Sequence, residues 1–249
     1  MSALELSVVV PMFNEVENVP LLWEEIDAVL AKLGREAEII FVDDGSTDGS
    51  ATAVRTLMAR DPRVRLVSFS TNAGLTAAFN AGYAAARGAV VATMDADLQN
   101  DPRDLELLLP ALEGADAAVG VRARRRDRWL RRISSRIANA VRNRVTGDHV
   151  TDSACSLRAM RRECVSAIPP YSGMHRFVPT LLRMAGYRVV EVPVHHRPRT
   201  LGQSKFGVRN RAVRAFIDLL VVRWMMTRLV RRDAREVTPT GGPPDSVEG

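Results

Sequence analysis

Apolar positions in the first hundred residues form short runs without strict alternation. These runs are Leu6–Pro11, Glu38–Val42, Val64–Phe69 and Ala89–Met94. Unbroken apolar runs rich in β-branched residues are typical of strands that are covered on both faces. The segments between the runs have the length of crossover helices, and they are Val16–Leu33, Asp48–Arg60 and Ala73–Arg87. This alternation predicts an α/β fold with a mostly parallel, doubly wound sheet and helices on both faces.

The same pattern continues after residue 100. Asp101 followed by Pro102 predicts the start of a helix that reaches Leu112. Ala117–Val121 and residues 187–195 have the composition of two further strands. We expect one domain over residues 1–207, with a first half at 1–100 and a second half at 101–207.

An arginine-rich segment interrupts this pattern. Residues 122–144 contain ten arginines and a single acid, Asp127. Apolar residues recur every four positions from Ile133 to Val145, so we expect a basic amphipathic helix over residues 128–146. Such a helix suits a membrane surface or an acidic partner. It could equally be a solvated helix that packs on the domain by its narrow apolar stripe.

A second basic helix is predicted over residues 208–235. Its most apolar part, Phe216–Met226, contains Asp218 and Arg223, and a membrane span needs about 20 mostly apolar residues. We therefore expect no transmembrane helix here, and the segment either lies on a bilayer or docks on the core. Residues 236–249 are rich in Pro and Gly and are predicted to be disordered.

Composition limits the compartment and the partners. Two cysteines, Cys155 and Cys164, do not form a disulfide framework, and residues 1–7 lack the pattern of a signal peptide. A cytoplasmic setting is therefore expected. The net charge of +6 permits nucleic acid or anionic lipid as a partner. Aromatic residues make up only 5% of the chain, which argues against a single-strand nucleic-acid binder and favours a partner other than nucleic acid.

Paired carboxylates follow the fourth predicted strand. Asp95 and Asp97 flank Ala96, and Leu98-Gln99 comes next. Two carboxylates at a strand end can share Mg²⁺ or Mn²⁺ and leave coordination positions for diphosphate oxygens. An isolated Asp-x-Asp is a weak signal, because such acids also serve as caps, but its place after a buried strand favours a metal role.

A second acidic cluster, Asp43-Asp44-Gly45-Ser46-Thr47-Asp48, follows the second predicted strand. Asp43 or Asp44 could accept a hydrogen bond from the N–H edge of a nucleobase. For Ser46, Thr47 and Asp48 a structural role in a turn and helix cap is favoured. The chain contains neither a P-loop motif nor a GxGxxG after its first strand, which argues against dinucleotide redox chemistry.

A third motif, Pro11-Met12-Phe13-Asn14-Glu15, ends the first strand. In order, Pro-x-x-Asn-Glu, Val-Asp-Asp-Gly-Ser-x-Asp and Asp-Ala-Asp-Leu-Gln resemble the inverting, GT-A-type, family-2 glycosyltransferases. The resemblance extends over about residues 5–207. It implies a GT-A fold and a nucleotide-sugar donor.

The second half resembles the dolichol-phosphate mannose synthase branch of that family. The matching segments are Gly120-Val121-Arg122, Trp129–Ser135, Glu191–Val194 and Arg199–Lys205, the last of these being Arg-x-x-Gly-x-Ser-Lys. Asp152–Ser156 stands in place of an Asp-x-x-Ser/Cys-Gly-Phe element but departs from its Gly-Phe. This branch transfers a sugar to a polyprenyl phosphate, so the resemblance implies a lipid acceptor.

The resemblance assigns roles to individual residues. Donor binding is expected at Pro11, Phe13, Glu15, Asp43, Asp44, Asp95, Ala96 and Gln99. The metal ligands are expected at Asp95, Asp97 and Gln99, with Mg²⁺ or Mn²⁺ as the cofactor. The acceptor phosphate is expected to meet Arg122, Arg131, Ser135, Arg199 and Lys205. Asp97, Arg122 and Arg131 are expected to carry the catalysis.

The implied activity is inverting transfer of a hexose such as mannose or glucose from a GDP- or UDP-sugar. The acceptor is dolichyl or undecaprenyl phosphate at the cytoplasmic membrane face, where the protein is peripheral. A phosphate acceptor is already ionised and needs cations to hold it, whereas a hydroxyl acceptor needs a carboxylate base. Two alternatives stay open: a glycosyltransferase of the same fold that acts on a soluble sugar or protein hydroxyl, and a basic nucleic-acid-binding module.

Overall fold

A computed structural model describes residues 4–122, 140–147, 150–152, 155–198 and 208–228. Within these residues seven strands form one sheet in the order β3-β2-β1-β4-β6-β5-β7. The strands are β1 (Leu6–Met12), β2 (Ala37–Asp43), β3 (Val64–Ser68), β4 (Val90–Thr93), β5 (Ala117–Arg122), β6 (Arg158–Arg161) and β7 (Val189–Val194).

The first four strands pair in parallel, as the sequence predicts. β1 lies between β2 and β4, and β3 pairs with the outer side of β2. Every residue of β1 and β2 is buried. Strands covered on both faces need no alternation of apolar and polar positions, which explains the unbroken apolar runs.

β6 is a strand that the sequence analysis missed. It is antiparallel to both β4 and β5, while β5 and β7 pair in parallel. Its four residues, Arg-Ala-Met-Arg, carry a charge at each end and present no apolar run. This segment is a strand because it fills the space between β4 and β5 and pairs with both. Since both pairings are antiparallel, the sheet is mostly but not wholly parallel.

Helices cover both faces of the sheet, as predicted. They are α1 (Asn18–Leu33), α2 (Ser50–Met58), α3 (Leu75–Ala85), α4 (Leu105–Leu108), α5 (residues 140–146), α6 (Arg162–Val165), α7 (Val178–Met184) and α8 (Val208–Met226). One core joins the sheet to α1, α2 and α4, and the other joins it to α3, α7 and α8. α6 and α7 lie in a region to which the sequence analysis assigned no element.

The predicted helix from Asp101 to Leu112 is interrupted. A 3₁₀ turn over Pro102–Asp104 leads into the short α4, and a second 3₁₀ turn covers Pro110–Glu113. Pro110 has no backbone N–H to continue an α-helical ladder, and its ring crowds the preceding turn. The continuous helix was therefore a wrong prediction.

The C-terminal helix docks on the core and also presents an apolar face outward. Leu219 and Val222 are buried in the core beside α7, and Asp218 forms an ion pair with Arg176 at 2.9 Å. Five large apolar residues of α8 are exposed, namely Phe216, Ile217, Leu220, Val221 and Trp224. None of the helices in the described part of the chain is long and apolar enough to cross a membrane. Of the predicted helix over 128–146, only the part from residue 140 lies within the described residues.

Candidate active site

The carboxyl ends of β1, β2 and β4 meet at one edge of the sheet. Met12, the last residue of β1, pairs with Asp43, and Val9 pairs with Thr93 of β4. The segments that follow these strands therefore lie side by side. All three motifs that the sequence singled out belong to this edge, the usual place for ligands in such sheets.

The turn after β1 is joined to the loop after β2 by hydrogen bonds from backbone N–H groups to side-chain oxygens. The Asn14 N–H donates to the Ser46 hydroxyl at 2.9 Å, and the Thr47 N–H donates to the Asn14 side-chain oxygen at 2.7 Å. The Glu15 N–H donates to the Ser50 hydroxyl at 2.8 Å. Asn14 has a φ of 54°, and Asn tolerates this left-handed region better than most residues. These contacts hold Phe13 and Glu15 at the edge beside Asp43.

The structural roles predicted for Ser46, Thr47 and Asp48 agree with these contacts. Asp48 accepts hydrogen bonds from the Val16 N–H and from both the N–H and the hydroxyl of Ser50, where α2 begins. Burial opposes the charge of Asp48, but these hydrogen bonds outweigh it and hold the pKa of its carboxyl below the ordinary value.

Asp43 and Asp44 are both buried, and each supports a different loop. Asp43 accepts hydrogen bonds from the Ser46 N–H at 3.0 Å and from the Ser68 hydroxyl at 3.1 Å. Asp44 accepts from the Asn72 side-chain amide and from the N–H groups of Ala73 and Gly74. The two carboxylates thus hold the loops at this part of the edge in place. Their contact with a nucleobase stays a prediction.

Gly45 shows why this motif contains glycine. Its φ is 72°, and a Cβ placed there would lie 2.5 Å from the Thr71 carbonyl carbon and 2.6 Å from the Asn72 nitrogen. A side chain would need both a strained backbone and a displaced loop. Gly45 therefore allows the loop before α3 to pack directly on the Asp43-Asp44 segment.

The loop after β4 is closed by its own side chains. The Asp95 N–H donates to the Asn100 side-chain oxygen at 3.0 Å, and the Gln99 N–H donates to Asp97 Oδ1 at 3.2 Å. Leu98 has a φ of 60°, which is rare for a residue with a branched side chain. Strained backbone of this kind often accompanies functional sites. The closed loop places both carboxylates within one short turn, with Ala96 buried between them.

The surroundings of Asp95 disfavour the ionised form of its carboxyl group. Burial is the main cause that raises its pKa to about 6, and the neighbouring charge of Asp97 adds to this. A hydrogen bond from Ser156 and the positive charges of Arg158 and Arg122 act in the opposite direction. Arg158 is buried on β6 and donates to the His175 carbonyl at 2.8 Å. A buried carboxylate with a raised pKa, placed beside a second carboxylate, has the electrostatics of a cation site, because a bound cation would relieve the repulsion between them.

The segment after β7 is joined to the loop that carries Asp97. The Arg197 N–H donates to the Gln99 carbonyl at 2.9 Å, and the Gln99 side-chain amide donates to the Arg197 carbonyl at 3.3 Å. The Arg197 guanidinium forms ion pairs with Glu25 at 2.7 Å and Asp101 at 2.9 Å. This anchor lies two residues before Arg199.

Arg122 lies at the end of β5 and is paired with Asp152. Its guanidinium donates to both carboxylate oxygens, at 2.6 and 2.9 Å. Asp152 is buried, so the pair holds the first residue of the predicted Asp152–Ser156 element beside the end of β5. The other predicted acceptor residues, Arg131, Ser135, Arg199 and Lys205, lie outside the described residues.

Sequence reasoning missed several residues that build this site. They are Asn72, Asn100, Ser156, Arg158 and Arg197. Asn100 directly follows the Asp95–Gln99 motif, Ser156 is the last residue of the Asp152–Ser156 element, and Arg158 lies two residues after it, so the sequence around these positions already indicated the site. No sequence motif indicated a role for Asn72 or Arg197. Across the described residues no cluster of three or more His, Cys, Asp or Glu side chains is arranged to hold a metal ion.

Comparisons with known proteins agree with the fold and the motifs. Residues 7–168 match the family described as glycosyl transferase family 2. The chain is 40% identical over 230 residues to dodecaprenyl-phosphate galacturonate synthase of Rhizobium johnstonii, covering 90% of this chain and 68% of that one.

Solved structures show the same fold at low identity. Glucosyl-3-phosphoglycerate synthase of Mycobacterium tuberculosis, with Mn²⁺, UDP and glucosyl-3-phosphoglycerate, matches with a TM-score of 0.63 and 18% identity, over 92% of this chain and 81% of that one. The mannosyltransferase of Pyrobaculum calidifontis, with GDP-mannose and Mn²⁺, matches with a TM-score of 0.61 and 23% identity, over 94% and 66%. With three motifs at one sheet edge and a family match over most of its length, the chain belongs to glycosyl transferase family 2.

Proposed function

We propose that this protein transfers a sugar from a GDP- or UDP-sugar to a polyprenyl phosphate, with inversion at the anomeric carbon. The observation that carries the proposal is the meeting of Asp43, Asp95 and Asp97 at the carboxyl edge of β1, β2 and β4. The 40% identity to a dodecaprenyl-phosphate galacturonate synthase supports the lipid acceptor and adds galacturonic acid to mannose and glucose as a candidate sugar.

Asp95, Asp97 and Gln99 would hold Mg²⁺ or Mn²⁺ on the metal side of the site. The donor set fits such an ion, because hard cations prefer carboxylate and amide oxygens. The raised pKa of Asp95 also indicates a place where added positive charge is favourable. The bound cation would neutralise charge on the departing diphosphate. Gln99 also has a structural role, because its side-chain amide donates to the Arg197 carbonyl and so holds the loop after β4 in place.

The donor side would be formed by the turn after β1 and the loop after β2. Phe13 and Glu15 are half-buried there, while Pro11, Asp43, Asp44 and Ala96 are buried. Asp43 or Asp44 would receive the N–H edge of the base. Because both carboxylates also hold loops in place, either would fix the base relative to the metal side.

The acceptor side would use cations to hold the phosphate in line with the anomeric carbon. Arg122, Arg131, Ser135, Arg199 and Lys205 are the proposed contacts. Arg122 is already bonded to Asp152 through two nitrogens, so its guanidinium has a fixed direction. Because the Asp152 carboxylate partly balances the charge of Arg122, the guanidinium would serve mainly to orient the acceptor phosphate. The phosphate oxygen would attack as an anion, so no side chain has to remove a proton.

Contact with the membrane would use the exposed face of α8. Positions 216, 217, 220, 221 and 224 lie on one side of a helix with 3.6 residues per turn. Exposed apolar faces of this size are uncommon on isolated soluble proteins. Arg223 and Arg228 are exposed on the same part of the chain, and their charges suit an anionic lipid surface. We propose that the protein is peripheral on the cytoplasmic face, where this helix brings the site to the lipid phosphate.

A direct assay tests the activity. Purified protein is incubated with Mn²⁺ or Mg²⁺, a panel of UDP- and GDP-sugars that includes galacturonic acid, and undecaprenyl phosphate, and the glycolipid is sought by mass spectrometry. Parallel reactions replace the lipid with 3-phosphoglycerate or a hydroxyl acceptor. Glycolipid formation from one donor supports the proposal. Transfer only to a hydroxyl acceptor would replace it with the soluble-acceptor alternative, and that result would require a carboxylate base.

A further inference from the structure

Ser156 occupies the position at which the resembled Asp-x-x-Ser/Cys-Gly-Phe element has glycine. Its hydroxyl is therefore a feature of this chain that the family pattern does not supply. Ser156 precedes β6 and faces the end of β4, so it lies directly behind the loop that carries the two candidate metal ligands. It is also buried, at 8% exposure.

The hydroxyl and the backbone carbonyl of Ser156 each bond one end of that loop, at Asn100 and at Thr93. Its hydroxyl donates to the Asn100 side-chain oxygen at 2.9 Å, and the same oxygen accepts the Asp95 N–H at 3.0 Å. Its backbone carbonyl accepts the Thr93 hydroxyl at 2.5 Å. Thr93 is the last residue of β4, so one residue connects the strand end to the far end of the loop.

The Ser156 hydroxyl acts on Asp95 through Asn100, because the Asn100 side-chain oxygen accepts hydrogen bonds from both the hydroxyl and the Asp95 N–H. Asn100 is 4% exposed, and water has little access to replace the lost donor if the hydroxyl is removed.

From these contacts we infer that Ser156 is a positioning residue that fixes Asp95 and Asn100 for divalent-cation binding. The inference rests on the proposed metal role of Asp95 and Asp97. Groups behind a metal ligand orient that ligand, and removal of such a group typically weakens metal affinity about 10- to 100-fold. Ser156 would do this without contacting the cation.

The test is the affinity for Mn²⁺, measured by the electron paramagnetic resonance signal of free Mn²⁺ in titrations with saturating UDP and, separately, GDP. Ser156→Ala and Ser156→Gly should raise the dissociation constant for Mn²⁺ about tenfold or more. Ser156→Thr keeps the hydroxyl and should stay within about threefold of the unchanged protein. Ser166→Ala is the matched control, because Ser166 is exposed and its hydroxyl donates only to the Glu163 carbonyl at the surface.

Titrations are run well below the unfolding midpoint of each metal-free variant, so that lost stability does not appear as lost affinity. Equal affinities for the unchanged protein, Ser156→Ala and Ser156→Gly would overturn the inference, and so would a Ser156→Thr variant as weak as Ser156→Ala. In both cases the proposed function would stand. If the unchanged protein bound no Mn²⁺ with either nucleotide, the proposed metal site would fail and this inference with it.

Discussion

Arg197 and Gln99 are joined by two hydrogen bonds, one from the Arg197 N–H to the Gln99 carbonyl and one from the Gln99 side chain to the Arg197 carbonyl. The proposed metal loop and the segment that leads to Arg199 therefore form one connected unit. A neighbouring bridge between Asn100 and His196 extends this pairing. The proposed metal loop is thus in direct contact with the segment after β7.

Removal of the Asp97 carboxylate should abolish most of the transfer. Asp97→Ala and Asp97→Asn are expected to lower kcat at least about 100-fold, because charge stabilisation by a bound cation contributes several kcal/mol. Product formation at saturating donor and acceptor measures this. Glu24→Gln, on the exposed side of α1, is the control for loss of a carboxylate and should keep full activity. Full activity of Asp97→Ala would rule out the metal assignment.

Ionised Asp95 should destabilise the metal-free protein. Its folded-state pKa of about 6 lies above the ordinary value of 3.8, so the folded protein binds a proton more tightly than the unfolded chain. Relative to Asp95→Asn, the unchanged protein should therefore lose stability as the pH rises from about 4 to above 6.

The Asp95→Asn variant should be about 1–3 kcal/mol more stable than the unchanged protein at pH 7.5, with the difference vanishing near pH 3.5. Urea unfolding in EDTA at several pH values measures it. A pH-independent difference would show that the Asp95 pKa is not raised. Added Mn²⁺ should reverse the order at neutral pH, because only the carboxylate binds the cation well.

The anchor at Arg197 can be compared with a second arginine on the same carboxylate. Arg197 and Arg103 both pair with the buried Asp101, but Arg103 is far more exposed. Arg197→Ala should lower the free energy of unfolding by about 1–3 kcal/mol, since it also leaves Glu25 unpaired. Arg103→Ala should have a smaller effect.

The two variants should also differ in function. Because the segment anchored by Arg197 leads to Arg199, Arg197→Ala should raise the KM for the lipid acceptor more than the KM for the donor. Arg103→Ala should leave both close to the values of the unchanged protein. Equal effects of the two substitutions on acceptor KM would contradict a role of this anchor in acceptor binding.

Alanine substitutions at two glycines distinguish the energetic cost of backbone strain from the cost of displacing a packed loop. Gly34 has a φ of 62°, and a Cβ added there would meet no atom within 4 Å, whereas Gly45 also faces the Thr71–Asn72 backbone. Gly34→Ala should cost about 1 kcal/mol of stability, and Gly45→Ala about 3 kcal/mol or more. Chemical denaturation compares them. If the two costs were equal, the close packing of Gly45 on this loop would have no energetic weight.

The exposed face of α8 should be required for binding to anionic lipid. Trp224→Glu and Phe216→Glu remove large apolar groups and add repulsive charge, so each should weaken binding to phosphatidylglycerol-containing vesicles about tenfold or more. Co-sedimentation with vesicles measures this. Leu21→Glu, at a similarly exposed apolar residue of α1, is the control and should bind normally. Normal binding by both α8 variants would exclude this face as the membrane contact.

The parallel half of the sheet could be predicted because local pattern and tertiary environment agree there. The runs at β1 and β2 are apolar throughout since both faces are buried, and each is followed by a helix of crossover length. Such an alternation permits few topologies, so the edge that carries Asp43 and Asp95 follows from the chain alone. The family resemblance then named the chemistry of that edge.

The second half could be predicted less well, because long-range partners decide it. β6 is a strand only because β4 and β5 lie on either side of Arg158 and Arg161. The Arg122–Asp152 pair joins residues thirty positions apart, and no local pattern indicates it.

By itself, the sequence determined that this protein has a mostly parallel α/β sheet with carboxylates at three strand ends and a basic second half. Those features depend on hydrophobic periodicity and residue type, which are local properties of the chain. Only the tertiary structure decided which groups stand behind the carboxylates. Ser156 and Arg197 reach the proposed metal loop across distances in sequence that only packing brings together, and burial of Asp95 raises its pKa. The physical reason is that hydrogen bonding and desolvation act through space.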